Sequence, residues 1–175
     1  MSGDNGGKKK MAVALFLAII MLFCGCAEPP LRLHIKANSN SAKDQKIKLV
    51  VRDAVLYATK DKISKCENQA SARAYIEESL ETIKETADKV LSDGGFEYET
   101  DLKVGVFHFP EKTYKGKTYP EGDYQALSLT LGEGEGENWW CVMFPPLCIT
   151  ELEKTDEQDV EYTSFLAELF KSLFG

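Results

Sequence analysis

The stretch Asn138-Trp139-Trp140-Cys141-Val142-Met143-Phe144-Pro145-Pro146-Leu147-Cys148 constrains the fold of this chain more than any other. Side chains alternate along a strand, so adjacent tryptophans there point to opposite faces. One ring enters a core, and the other faces outward as a stiff contact group. Pro145-Pro146 makes a bend between Cys141 and Cys148. Two readings are open for these cysteines: a disulfide, or two buried thiols. A bridge over so short a loop would contribute about 2–2.5 kcal/mol on the chain-entropy model.

The N-terminus carries an export signal. Lys8-Lys9-Lys10 precede an unbroken apolar run from Met11 to Phe23, followed by Cys24-Gly25-Cys26-Ala27. The run is shorter than the roughly 20 residues of a spanning helix. Residues 1–27 are therefore expected to be a signal peptide or membrane anchor, and 28–175 a secreted domain. Three fates are compatible with the signal: cleavage, lipidation at Cys26, or retention as an anchor. Without Lys8, Lys9, Lys10 and Asp4, residues 28–175 hold 18 basic and 27 acidic side chains, a formal charge of −9. That balance argues against nucleic acid and against charge-driven binding to anionic lipid. Cys66 is expected as an inert thiol on an apolar helix face.

Periodicity predicts the elements. Leu31 to Lys36 alternates as a strand. Ser41 and Asp44 have capping-box spacing before a helix from Ala42 to Lys65. A second helix is expected from Asn68 to Ser92, stopped by Gly94-Gly95. Phe96 to Phe109, Tyr124 to Leu131 and Asn138 to Phe144 read as strands, with loops at Lys115-Gly116 and Pro120-Glu121-Gly122. Gly132 to Glu137 reads as a flexible hairpin connection with solvated carboxylates, and Val160 to Phe174 as a C-terminal amphipathic helix. The expected architecture is α+β: one domain, a mostly antiparallel sheet, two helices after the first strand and one at the C-terminus.

Catalytic combinations are sparse. Cys141 and His108, oriented by Asn138 or Asp123, would make a thiol nucleophile and base, as in a Cys-His cell-wall hydrolase. Cys141 instead sits mid-strand, where a thiol packs or pairs. His34 and His108 lack partners at zinc-like spacing, and the Gly-Glu repeat lacks the ordered ligands of a calcium loop. No catalytic residue, metal or cofactor is assigned. More suggestive is Arg32-Leu33-His34-Ile35-Lys36-Ala37-Asn38-Ser39-Asn40-Ser41, followed by Asp44, Gln45, Arg52 and Asp53. Turn and cap duties account for Ser41 and Asp44 but leave His34, Asn38 and Gln45 without a job. Trp139, Trp140, Phe144, Pro145 and Pro146 add large rigid contact groups, so the two segments together are the candidate partner-binding set. A lipoprotein binding a small ligand through the aromatic cluster is the alternative.

The chain resembles the stage II sporulation protein R family of endospore-forming bacteria. The matching residues are Arg32 to Ile35, Ala37 to Ser39, Asp44-Gln45, Lys48 and Val51 to Asp53. They continue through Tyr119-Pro120, Gly122, Tyr124, Ala126-Leu127, Gly134 to Gly136 and Asn138 to Cys148. Asn40 departs from the family's usual Asp. The resemblance implies a signalling protein, not an enzyme. It would be made in the forespore, exported across its membrane, and trigger a membrane-embedded aspartic protease of the mother cell that processes a pro-sigma factor. The expected contact surface has Trp139 or Trp140 as anchor, with His34, Asn38 and Arg52 as polar specificity groups.

Overall fold

A computed structural model describes residues 29–148. The expected signal segment and the expected helix from Val160 to Phe174 lie outside the described residues. In chain order the elements are β1 (Leu31–Lys36), α1 (Ala42–Ile63), α2 (Gln69–Glu78), α3 (Leu80–Asp93), β2 (Thr100–Phe109), β3 (Lys112–Tyr114), β4 (Lys117–Tyr119), β5 (Gly122–Leu131) and β6 (Asn138–Phe144). The fold is α+β.

Four strands form one sheet in the order β2-β5-β1-β6. β2 with β5 and β1 with β6 are antiparallel, but β1 with β5 is parallel. The sheet is therefore mixed. A parallel pair cannot be closed by a tight turn and needs a long crossover, which the helical segment between β1 and β2 provides. β3 and β4 form a separate two-stranded ladder.

The expected second helix is two helices, α2 and α3, divided at Ser79 (φ −100°, ψ 6°). The apolar stripe Ala72, Ile76, Ile83, Ala87, Val90 stays in phase across the break. Periodicity therefore carried no trace of it. Two of the three helices are capped locally: Ser41 accepts the Asp44 N–H at α1, and Asn68 and Ser71 close a full capping box at α2. At α1 only half of the expected box forms. The Asp44 carboxylate turns instead to Asn38, Ser39 and Tyr98.

Strand alternation sorts the sheet into two faces. Leu31, Leu33, Ile35, Leu127, Leu129, Leu131, Cys141 and Met143 share a core cluster with Val51, Ala54 and Val55 of α1 and Ile83, Ala87 and Leu91 of α3. Arg32, His34 and Lys36 alternate with these on β1, opposite Ala126, Ser128 and Thr130 on β5. Across the other ladder they face Val142, Trp140 and Asn138 on β6. Tyr114 and Tyr119 of the β3–β4 hairpin lie against the Arg32 end of this second face.

Candidate partner-binding site

The second face carries the candidate site, and β1 sets its geometry. His34 is half-buried and stacked on Trp140, ring centroids 4.0 Å apart and planes 12° from parallel. Its Nε2 lies 2.7 Å from the Asn138 side-chain oxygen and its Nδ1 2.9 Å from the Ser128 hydroxyl. An amide oxygen can only accept, so Nε2 carries the hydrogen and Nδ1 accepts from Ser128. Burial, with a smaller push from Lys36, holds the His34 pKa below its usual value against the opposing Asn138 bond. The imidazole is thus neutral near pH 7, oriented and capped by an indole. A Ser-His-Asn relay has the same connectivity, but Ser128 is 7% exposed, beneath a ring already in use. His34 and Trp140 are half-buried and Asn138 is exposed.

The structure divides the expected binding residues. His34 and Trp140 meet on the second face. Trp139 points the other way, packed at the margin of the helix-side core, with the Arg52 guanidinium 5.1 Å above its ring. Arg52 is ion-paired with the buried Asp53 at 2.5 Å. Phe144, Pro145 and Pro146 lie where β6 passes Leu31, at the opposite end of β1 from Asn38. The intervening length of strand is about 17 Å at 3.4 Å per residue. The Phe144–Pro145 peptide is cis. Cys141 and Cys148 form a disulfide, and the Cys148 N–H bonds the Val142 carbonyl to close the turn.

Asn38 and Gln45, which sequence reading left without work, hold the Gly-Glu segment in place. The Asn38 side chain accepts the Glu133 N–H at 3.0 Å and donates to Asp44 at 3.0 Å. Its carbonyl accepts the Glu135 N–H, and the Ala37 carbonyl accepts that of Gly136. Gln45 donates to the Ser39 carbonyl at 2.8 Å and accepts from Lys48, which also reaches the Glu137 carbonyl at 3.0 Å. The segment is docked against Ala37–Asn40 and joins β5 to β6 across β1, which lies between them, a correction to the flexible hairpin connection expected from composition. Two glycines make this possible. Gly132 has φ +55° with Asn38 Oδ1 2.3 Å from where a Cβ would stand, and at Gly136 the Ser39 carbonyl is equally close. Asn40, the departure from Asp, accepts the Glu137 N–H at 2.8 Å through its side-chain oxygen. The neutral amide oxygen supplies the acceptor that this bond needs.

Asp44 sits at the centre of this network, 7% exposed. Burial alone would raise its pKa. Hydrogen bonds from Ser39, Tyr98, Asn38 and Ser41 outweigh that and hold it below the usual value. Truncating it would leave several donors unsatisfied, at a cost of about 1–3 kcal/mol for each buried group.

Sequence reading missed the environment of Arg32. The side chain is fully buried, its Nε donating to the Cys141 carbonyl at 3.0 Å. The guanidinium carbon lies 4.5 Å from the ring centre of Phe109, 4.9 Å from Tyr124, 5.6 Å from Tyr119 and 5.9 Å from Tyr114. Tyr124 and Tyr119 were visible as motif residues, but nothing local joins them to Arg32.

The Cys-His hydrolase alternative fails on geometry. His108 is on β2 and Cys141 on β6, the two opposite edges of the sheet, and Cys141 is in the disulfide. His108 is exposed and bonded to Asp123 and Glu121. Among the described residues no group of three or more His, Cys, Asp and Glu side chains converges as metal ligands. Among the same residues no helix is long and apolar enough to cross a membrane.

The family model of Stage II sporulation protein R matches residues 27–154. Stage II sporulation protein R of Bacillus subtilis (strain 168) is 37% identical over 132 residues, covering 74% of this chain and 59% of the relative. The chain thus spans less than two thirds of the length of the curated relative it matches. No solved structure matches. On the extent of the family match and the identity to this relative, the chain belongs to the Stage II sporulation protein R family.

Proposed function

We propose that this protein is an exported sporulation signal that activates a membrane-embedded aspartic protease of the mother cell, which then processes a pro-sigma factor. Residues 1–27 direct it across the forespore membrane into the intermembrane space, and the domain acts there by binding. Family membership supports the role. The observation that carries the mode of action is the Trp140–His34–Asn138 cluster on the sheet face away from the helices. There a large ring is packed against Phe109 and stacked on a histidine that hydrogen bonds to Ser128 and Asn138 hold in place before any partner arrives, which lowers the ordering cost of binding. Trp140 is the anchor in this reading, and His34 and Asn138 are the polar groups beside it. Trp139 with Arg52 and Asp53 supports the edge strand from behind, and Asn38 and Gln45 act indirectly by fixing the Gly-Glu segment. Phe144, Pro145 and Pro146 form a second contact at the far end of β6.

Activation follows if the ligand binds the active arrangement of the protease more tightly than the inactive one. Tenfold activation needs about 1.4 kcal/mol of preference. Co-expression of the whole chain with the protease and the pro-sigma factor tests the reading through precursor shortening. Shortening is expected with the wild-type chain and is reduced about tenfold by Trp140→Ala at equal export. Undiminished shortening with Trp140→Ala rejects the surface, and none with the wild-type chain rejects the role.

A further inference from the structure

We propose that Arg32 is the anchor for a carboxylate that a partner polypeptide inserts beneath the β3–β4 hairpin. The source of the carboxylate rests on the partner-binding reading above; the chemistry of the site does not.

A guanidinium has five N–H donors. In Arg32 the Nε donor is used by the Cys141 carbonyl, while Nη1 and Nη2 are buried with no hydrogen-bond partner among the described residues. The Tyr114 hydroxyl lies close enough to favour the charge through a loose hydrogen-bonding contact, while its own hydrogen goes to the Trp140 carbonyl at 2.8 Å; one off-line acceptor leaves the other N–H groups of the fork unmatched. The four surrounding rings attract a cation through their faces but offer no lone pair in line with the N–H bonds. A buried charge with unpaired donors is costly, and the missing component is an acceptor. The planar fork of Arg matches a carboxylate with two parallel bonds.

The cover over Arg32 is suited to moving. β3 and β4 are three residues each and pair only with one another, and a ladder that small is marginal alone. The Tyr114 hydroxyl bond and the buried Tyr119 ring tie it to the sheet. The segment from Lys112 to Tyr119 holds Lys112, Lys115 and Lys117 and no acidic residue, in a chain of net charge −7. Its three lysines favour an anion close to a buried cation that lacks an acceptor.

The test titrates the purified exported chain with sodium acetate, against sodium chloride at equal ionic strength, following the Arg32 guanidinium by ¹⁵N NMR. A saturable acetate response of Arg32 and of the Tyr114 and Tyr119 rings, absent in chloride, is expected. Tyr114→Ala removes one tie of the hairpin and should tighten acetate about fivefold, the effect of one hydrogen bond. Arg32→Met keeps apolar packing among the rings and should abolish the response. Should that variant not fold, the Tyr114→Ala measurement decides instead. No saturable shift in either the wild-type chain or Tyr114→Ala overturns the site, as does an equal response to chloride, an adventitious ion only. Arg32→Lys in the co-expression assay then separates the two readings. Acetate binding together with reduced precursor shortening supports a carboxylate from the partner. Undiminished shortening overturns that source and leaves the signalling role standing.

Discussion

On the helix side of the sheet, Leu33, Ile35, Leu127 and Leu129 are fully buried and need only contact. On the other side Arg32 is as deeply enclosed and Ser128 nearly so, yet each depends on a particular partner: the Cys141 carbonyl, the His34 ring. The two sets alternate along the same strands. Apolar burial is non-directional and supplies most of the stabilisation. Buried polar groups add little net stability but are severe about geometry, because each one left unpaired costs the full desolvation penalty. The helix side therefore explains why the chain folds, and the opposite side why it presents one particular surface.

The sharpest way to break this division is to truncate the helix side. Leu129→Ala should destabilise the domain by about 3 kcal/mol, in the range for buried leucine truncations, by urea unfolding. Signalling per folded molecule should be unchanged. A large loss of signalling at full folding would show that the two faces are not separable.

The disulfide lies between the two regimes, since Cys141 packs in the helix-side core while its carbonyl serves Arg32. Replacing both cysteines with serine should cost about 2.5 kcal/mol on the chain-entropy model. A urea midpoint unmoved by the double substitution would place the stabilisation of this turn in packing alone.

The smallest effect is in pH, where the two histidines should oppose each other. Burial depresses the His34 pKa, so its contribution is fully present above about pH 6.5, the unfolded value, and is lost as pH falls toward its folded value. Hydrogen bonds to Asp123 and Glu121 raise the pKa of the exposed His108. Its contribution is present below about pH 6.5 and lost as pH rises through the folded value. Urea midpoints at pH 7.5 and 5.5 should show acidification more damaging in His108→Ala than in the wild type, and less damaging in His34→Phe. Identical pH dependence in all three would remove the histidines from the comparison.

Legibility followed range. β6 has the bounds expected from Asn138 to Phe144, and the adjacent tryptophans split between faces because alternation is a rule over two residues. The Ser41 cap was readable because its partner lies three residues on. The break at Ser79 was not, because α2 and α3 keep one apolar phase through it. The β3–β4 hairpin was expected only as loops, since strands of three residues are too short to show a period. Within the candidate set, His34 and Trp140 were picked out by residue type, but their stacking depends on register between strands far apart in sequence.

The amino-acid sequence alone determined what nearest neighbours enforce: the alternating strands, the capped start of α1, the acidic balance and the family motifs. Tertiary structure decided which polar groups share a partner. The Arg32 Nε finds an acceptor 109 residues away, and Asn38 pins a backbone N–H 95 residues on. Local conformational preferences are set by sterics within a turn or a pleat, whereas such pairings exist only once the whole sheet has closed and excluded water from both members.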